Sequence, residues 1–249
     1  MRPNWQSFDP KQYKNLQSHI ECVREEQHVN DEIRKESIRV SLVLRHKRLA
    51  KESGSSDTCT MRGKMLTGIL HSNKSYERRV KQIFRHTNYK LTWNRFSWRN
   101  KKCQLRGTPD GFLHSEFKRR DAPAVKVLFP VDIKCSKHLK TAETAKEWAK
   151  SGKGWLKQRE LGGWTVRESS DCFKQLQMCM AIMDTKKAYV CTAIGDRAVM
   201  IQVCRDTEYV EKITEEVHRY MTAKNGSVRR GNSGTRTTHL GNVEERWES

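Results

Sequence analysis

Asp110 lies in the segment Gly107-Thr-Pro-Asp-Gly-Phe-Leu113, and Asp132 and Lys134 lie two residues apart in Pro130-Val-Asp-Ile-Lys-Cys135. Brought together, two carboxylates and an ammonium make a site suited to phosphodiester hydrolysis. That reaction needs an in-line nucleophile, neutralisation of charge on the phosphate and help for the leaving oxygen. Asp110 and Asp132 are hard oxygen donors of the kind Mg2+ takes, with Mn2+ as a substitute, and the backbone carbonyl of Ile133 offers a further oxygen. Lys134 can orient or help deprotonate an attacking water, or stabilise developing charge. Each segment alone is ordinary. An Asp in a Thr-Pro-Asp-Gly turn is usually a turn residue, and a D-x-K triplet is common in a basic chain.

These residues act together only if strands position them. Val131, Ile133 and the run Val125–Phe129 are apolar and partly β-branched, which predicts a strand. Side chains alternate faces along a strand, so Asp132 and Lys134 share one face and Val131 and Ile133 take the other. Asp110 joins them if it opens a neighbouring strand. Around this pair, the patterning predicts polar helices over 9–28 and 31–51, then a break at Gly54-Ser-Ser-Asp57. Helices follow over 58–71 and 74–86, and 89–98 alternates as one strand. After the strands at 104–114 and 124–135 come a lysine-rich stretch (137–158) and a Gly162-Gly-Trp164 turn before a short strand. A helix over 170–184, strands over 188–194 and 198–203, and a helix over 207–222 complete the prediction. The expected fold is α/β, a mixed sheet flanked by helices. There is no GxGxxG or Walker sequence, hence no dinucleotide or P-loop signature.

The chain divides by this reading into a helical extension (1–52), a catalytic domain (53–222) and a Gly-, Ser- and Arg-rich basic tail (223–249) predicted to be disordered. Its 49 Lys and Arg against 29 Asp and Glu give a net charge of +20 and a pI near 9.8. Such an excess favours a polyanionic partner, nucleic acid above all, although a basic structural protein would show it too. No stretch approaches the about 18 apolar residues of a membrane span, and the N-terminus lacks a signal-peptide core. Eight cysteines without a CxxC pair point to free thiols in an intracellular protein. Basic runs such as Lys118-Arg-Arg120 are compatible with a nuclear address. Lys137, Lys140, Lys146, Lys150, Lys153 and Lys157 follow the D-x-K segment and can track a nucleic-acid backbone, or simply form a solvated face. His138 offers phosphate contact or a plain surface histidine. Cys135 is expected in the core.

Gly107-Thr-Pro-Asp-Gly111, Val131-Asp-Ile-Lys-Cys135 and Phe173-Lys-Gln-Leu-Gln177, in this order, resemble the PD-(D/E)XK nuclease superfamily. Within it, the likeness is to the YqaJ-type viral recombinase and lambda-exonuclease-like (alkaline exonuclease) branch, and it extends over 57–205. The resemblance implies a restriction-endonuclease-like core of order α-β-β-α-β-β. It also implies Asp110 and Asp132 as metal-binding acids, Lys134 as the catalytic lysine, and Gln175 and Gln177 lining the site from a helix. Relatives place a metal-proximal Glu on an early helix, where Glu77 fits; the same residue suits a helix ion pair with Lys81. Arg62, on the preceding helix, is the candidate for a terminal 5′-phosphate, which a guanidinium grips bidentately. Three positions depart from the pattern: Asp132 replaces Glu, Phe173 replaces Tyr and Ser136 replaces Pro. None removes a metal ligand.

The expectation is a Mg2+-dependent deoxyribonuclease, a 5′-to-3′ exonuclease that resects duplex DNA ends for recombination or replication. The alternatives are an endonuclease of a virus or mobile element and a catalytically silent nucleic-acid-binding protein of the same fold. The family implies a possible trimeric ring and a single-strand-annealing partner.

Overall fold

The structure, a computed structural model, describes residues 12–16, 18–23, 37–41, 43–44, 77–94, 96–119 and 122–231. In chain order its elements are β1 (Ile20–Val23), β2 (Ile38–Arg39), a helix over 77–84 (α1), β3 (Leu91–Trp93), β4 (Ser97–Asn100), β5 (Leu105–Gly107), β6 (Gly111–Arg119) and β7 (Ala122–Ile133). A 3-10 turn (Lys137–Leu139), α2 (Ala142–Lys150), β8 (Leu156–Gln158), β9 (Trp164–Val166), α3 (Asp171–Met183), β10 (Lys187–Ile194), β11 (Arg197–Cys204) and α4 (Thr207–Gly231) follow.

The strands at the site belong to a five-stranded mixed sheet of order β11-β10-β7-β6-β3. β6 and β7 form an antiparallel pair, whereas β10 runs parallel to β7, from Tyr189↔Val131 to Cys191↔Ile133. A parallel neighbour requires a crossover, and α3 lies in it. Pro130 has no N–H to give a ladder, and it stands one residue before the β7–β10 register begins. A second, four-stranded sheet has the order β1-β4-β5-β2, and β8 and β9 form a hairpin. The turn of that hairpin holds Gly162 and Gly163 at φ of 86° and 81°, as the sequence predicts for Gly162-Gly-Trp164.

α3 is apolar around most of its circumference, the pattern of a helix buried on several sides. Leu176, Met178, Met180, Ile182 and Met183 are all almost completely buried. The helix packs against both large sheets and α4. Ser170 caps its N-terminus by accepting a bond from the Phe173 N–H. Opposite α3, Val80 and Phe84 of α1 pack with Val131, Ile133, Phe129 and Cys191. The two faces of β7 are therefore divided as the alternation predicts. Apolar residues turn to α1, and Asp132 and Lys134 turn to α3.

Four predicted elements differ. The strand expected over 104–114 is two strands, β5 and β6, in different sheets, with Thr108, Pro109 and Asp110 between them. Residues 20–23, expected inside a helix, are strand β1. Glu21 there lies across from Arg99 of β4, its ion-pair partner, and Lys101 Nζ is 3.2 Å away. Residues 38–39 are likewise a strand, parallel to β5, and among the described residues of this stretch 40–41 and 43–44 are helical. Pairing with distant strands overrides local helix propensity in both cases. The single strand expected over 89–98 is two strands in different sheets. The Asn94 side chain accepts a bond from Phe96 N (3.0 Å) and donates to Phe96 O (2.7 Å), which turns the chain between them. The last helix runs nine residues past 222, to Gly231; the rest of the expected tail lies outside the described residues, as do the helix predicted over 58–71 and Arg62. The seven described cysteines are free. No helix among the described residues is long and apolar enough to cross a membrane.

Candidate active site

The β6–β7 register brings the two acids together. Gly111 pairs with Val131, so Asp110, one residue earlier, lies across from Asp132, one residue later. Residues opposed in this way project to the same face. The Ile133 N–H donates to Asp110 Oδ2 at 2.7 Å and fixes that carboxyl over the end of β7. Asp132 is buried, with 4% of its surface exposed.

Lys134 completes the group. Its Nζ sits 2.6 Å from Asp132 Oδ2 and donates to Gln175 Oε1 on α3 at 3.0 Å. The backbone that carries it is tied to β10 on both sides of the residue. Lys134 N donates to Cys191 O (3.1 Å), and the Thr192 hydroxyl donates to Lys134 O (2.6 Å).

The electrostatics are those of a crowded, poorly hydrated anion pair. Burial, and then the neighbouring Asp132 carboxylate, push the Asp110 pKa well above the usual carboxylate range, against the Ile133 N–H bond and Lys134, which pull it down. Burial alone would lower the Lys134 pKa, but Asp132 and Asp110 hold it above its ordinary value. Lys134 is thus an ammonium here, suited to donating a hydrogen bond and not to taking a proton. Asp132 Oδ2 touches the Lys134 ammonium at 2.6 Å and has no further hydrogen-bond donor among the described residues. The oxygen donors and the mutual repulsion of the acids fit a hard divalent cation. Among the described residues no group of three His, Cys, Asp or Glu surrounds such a position.

Asn94 and Gly111 place Asp110, and sequence reasoning does not single out either. The buried Asn94 amide donates to Pro109 O at 2.9 Å, and Asn94 N donates to Asp110 O at 2.9 Å. The Ser97 and Thr108 hydroxyls meet at 2.8 Å beside the same turn. At Gly111 a Cβ would lie 2.7 Å from Thr92 O and 2.8 Å from the Trp93 ring, closer than packed atoms come. Gly111→Ala is therefore expected to push β3 away, lose about 1–3 kcal/mol of stability and displace Asp110. Urea unfolding with a parallel activity assay checks both effects. A signal for Asn94 is absent from the sequence, because its partners are backbone atoms.

Of the other predicted residues, Gln175 reaches the site through Lys134. Gln177 does not. Two positions along a helix turn the side chain to another face, where the fully buried Gln177 donates to Cys204 O (2.9 Å) and accepts from Asp206 N (2.8 Å). Its amide joins α3 to the β11–α4 connection. Glu77 pairs with Lys81 on α1, the helix on the opposite face of β7. Lys137 and Lys140 are exposed beyond the end of β7. Cys135 packs with the α1-side cluster, and burial pushes its thiol up to about 11, far from a nucleophile's range.

No family model matches the chain, and no curated protein matches it. Among solved structures it is similar to an alkaline exonuclease (LHK-Exo) from Laribacter hongkongensis, at 16% sequence identity and a TM-score of 0.41, over 82% of this chain and 98% of that one. It is also similar to LHK-Exo in complex with dAMP, at 14% identity and a TM-score of 0.40, over 81% and 96% of the two chains.

Proposed function

We propose that this chain is a metal-dependent deoxyribonuclease that degrades duplex DNA from its 5′ ends. The observation that carries the reading is the convergence of Asp110, Asp132 and Lys134 at the end of β7. Asp110, Asp132 and the Ile133 carbonyl would hold Mg2+, or Mn2+ in its place. When bound, the cation would neutralise phosphate charge and ease deprotonation of the attacking water. Lys134, kept protonated by its neighbours and steadied by Gln175, would donate to that water or to a phosphate oxygen and stabilise the charge that develops. The net charge of +20 supports a polyanionic substrate. The 5′-to-3′ direction, a role in recombination or replication, and assembly as a ring rest on the family resemblance.

End-labelled linear duplex and nicked circular DNA, each with and without Mg2+, test the reading. Linear DNA is expected to shorten from its 5′ ends only with the cation, and Lys134→Ala to slow this at least a hundredfold. Cutting of the circle away from its nick would make the protein an endonuclease. Binding without cutting in Mg2+ or Mn2+ would make it a silent binder. Wild-type rates from Lys134→Ala would refute the site itself.

A further inference from the structure

The geometry points to a base-stacking platform, formed by His138 lying on Trp148, for an unpaired nucleotide next to the cleaved bond. The inference rests on the nuclease reading and names the form of its substrate, a strand with an unstacked base beside the site. His138 follows Lys134 by four residues, at most about 14 Å of backbone. Its exposed imidazole stacks on the Trp148 ring, with centroids 5.4 Å apart and planes 17° apart. The imidazole makes no hydrogen bond and no other ring contact among the described residues. One face is seated and the other is free.

The support beneath it is rigid. Trp155 meets Trp148 edge-on, at 6.0 Å and 86°. The backbone of Gly154 lies so close that a Cβ there would fall 2.2 Å from the Trp148 ring. Arg167 donates to Ala149 O (2.9 Å) and Gly154 O (3.1 Å), tying the helix bearing Trp148 to the segment after it. Both tryptophans pack on the cluster containing Leu139 and Cys172, and Cys172 lies on α3, the helix whose Gln175 accepts from Lys134. The platform and the candidate active site thus share one wall.

The surroundings carry the complementary charge. Over 137–168 there are eight Lys and Arg against four Glu. Lys137, Lys140, Lys146, Lys150, Lys153 and Lys157 are all exposed, and none pairs with a carboxylate within ion-pair distance among the described residues. A flat aromatic surface beside exposed cations such as Lys137 and Lys140 is the arrangement that binds single strands through base faces and phosphates together. A merely solvated helix needs the cations but not the stacked, pinned rings.

The test compares binding of a labelled oligothymidylate and an abasic oligonucleotide of equal length to the full chain in EDTA. Wild type is expected to bind the thymidylate about fivefold tighter or more, with quenching of tryptophan fluorescence only by the base-bearing strand. His138→Ala should lose that preference while binding the abasic strand as wild type does, and His138→Phe should keep it. Equal wild-type affinity for the two strands, or an unchanged preference in His138→Ala, overturns the platform. So does loss of affinity for both strands alike. DNA hydrolysis is read separately, so a protein that prefers bases but never cuts refutes the nuclease reading alone, and one that cuts without preferring bases refutes the platform alone.

Discussion

Asp110→Asn is expected to raise the melting temperature of the protein while lowering phosphodiester hydrolysis at least about a hundredfold. The asparagine keeps an acceptor for the Ile133 N–H and adds an amide donor beside the Asp132 carboxyl. One such bond contributes about 1 kcal/mol, or a few degrees in a chain of this size. The substitution also removes the repulsion between the acids. Burial and Asp132 raise the Asp110 pKa, so the folded chain holds this proton more tightly than the unfolded one. The stabilisation from that proton is full below the ordinary carboxylate range and is lost as pH climbs from there through the raised value. The melting temperature of Asp110→Asn should therefore exceed that of wild type by a margin that grows with pH across this window. Calorimetry over a pH series measures the margin. Mg2+ should close it at neutral pH by stabilising wild type alone. An Asn variant less stable than wild type at neutral pH would refute the electrostatic account, and one that still cuts DNA would refute the role of Asp110.

Asn94→Ala is expected to cost on the order of 3 kcal/mol and to abolish activity in whatever fraction stays folded. Its side chain serves Phe96 N, Phe96 O and Pro109 O, and the truncation strands all three in or near the interior. Gln177→Ala makes the comparison sharp. It also removes a buried amide, leaving Cys204 O and Asp206 N without partners, but these lie on the far side of α3 from Lys134. Both variants should unfold at lower urea, and only Asn94→Ala should lose far more activity than its loss of folded protein explains. If the two lose activity equally, Asn94 has no special bearing on Asp110. Full inactivation by Gln177→Ala with intact folding would instead return Gln177 to the site, where the family pattern puts it.

Legibility followed the range of the forces involved. The α3 helix and the β7, β10 and β11 strands were readable because their apolar periodicity reports burial directly. Residues 20–23 and 38–39 misled because their polar neighbours suit a helix, while Glu21 is the cross-strand partner of Arg99. Over 89–98 the alternation was real, but a single asparagine bonded to backbone sent its two halves into different sheets. Gln175 and Gln177 look equivalent on paper. Helical geometry gives one to Lys134 and the other to a distant chain crossing.

By itself, the sequence determined which groups are available and on which face of β7 they stand. The two-residue period of a strand puts Asp132 and Lys134 together and sends Val131 and Ile133 into the apolar cluster, wherever that strand lies. Only the tertiary structure decided how close the acids come. The β6–β7 register and the Asn94 and Gly111 contacts set Asp110 against the buried Asp132. That proximity and the burial around it, and not the identity of the residues, raise the Asp110 carboxyl pKa.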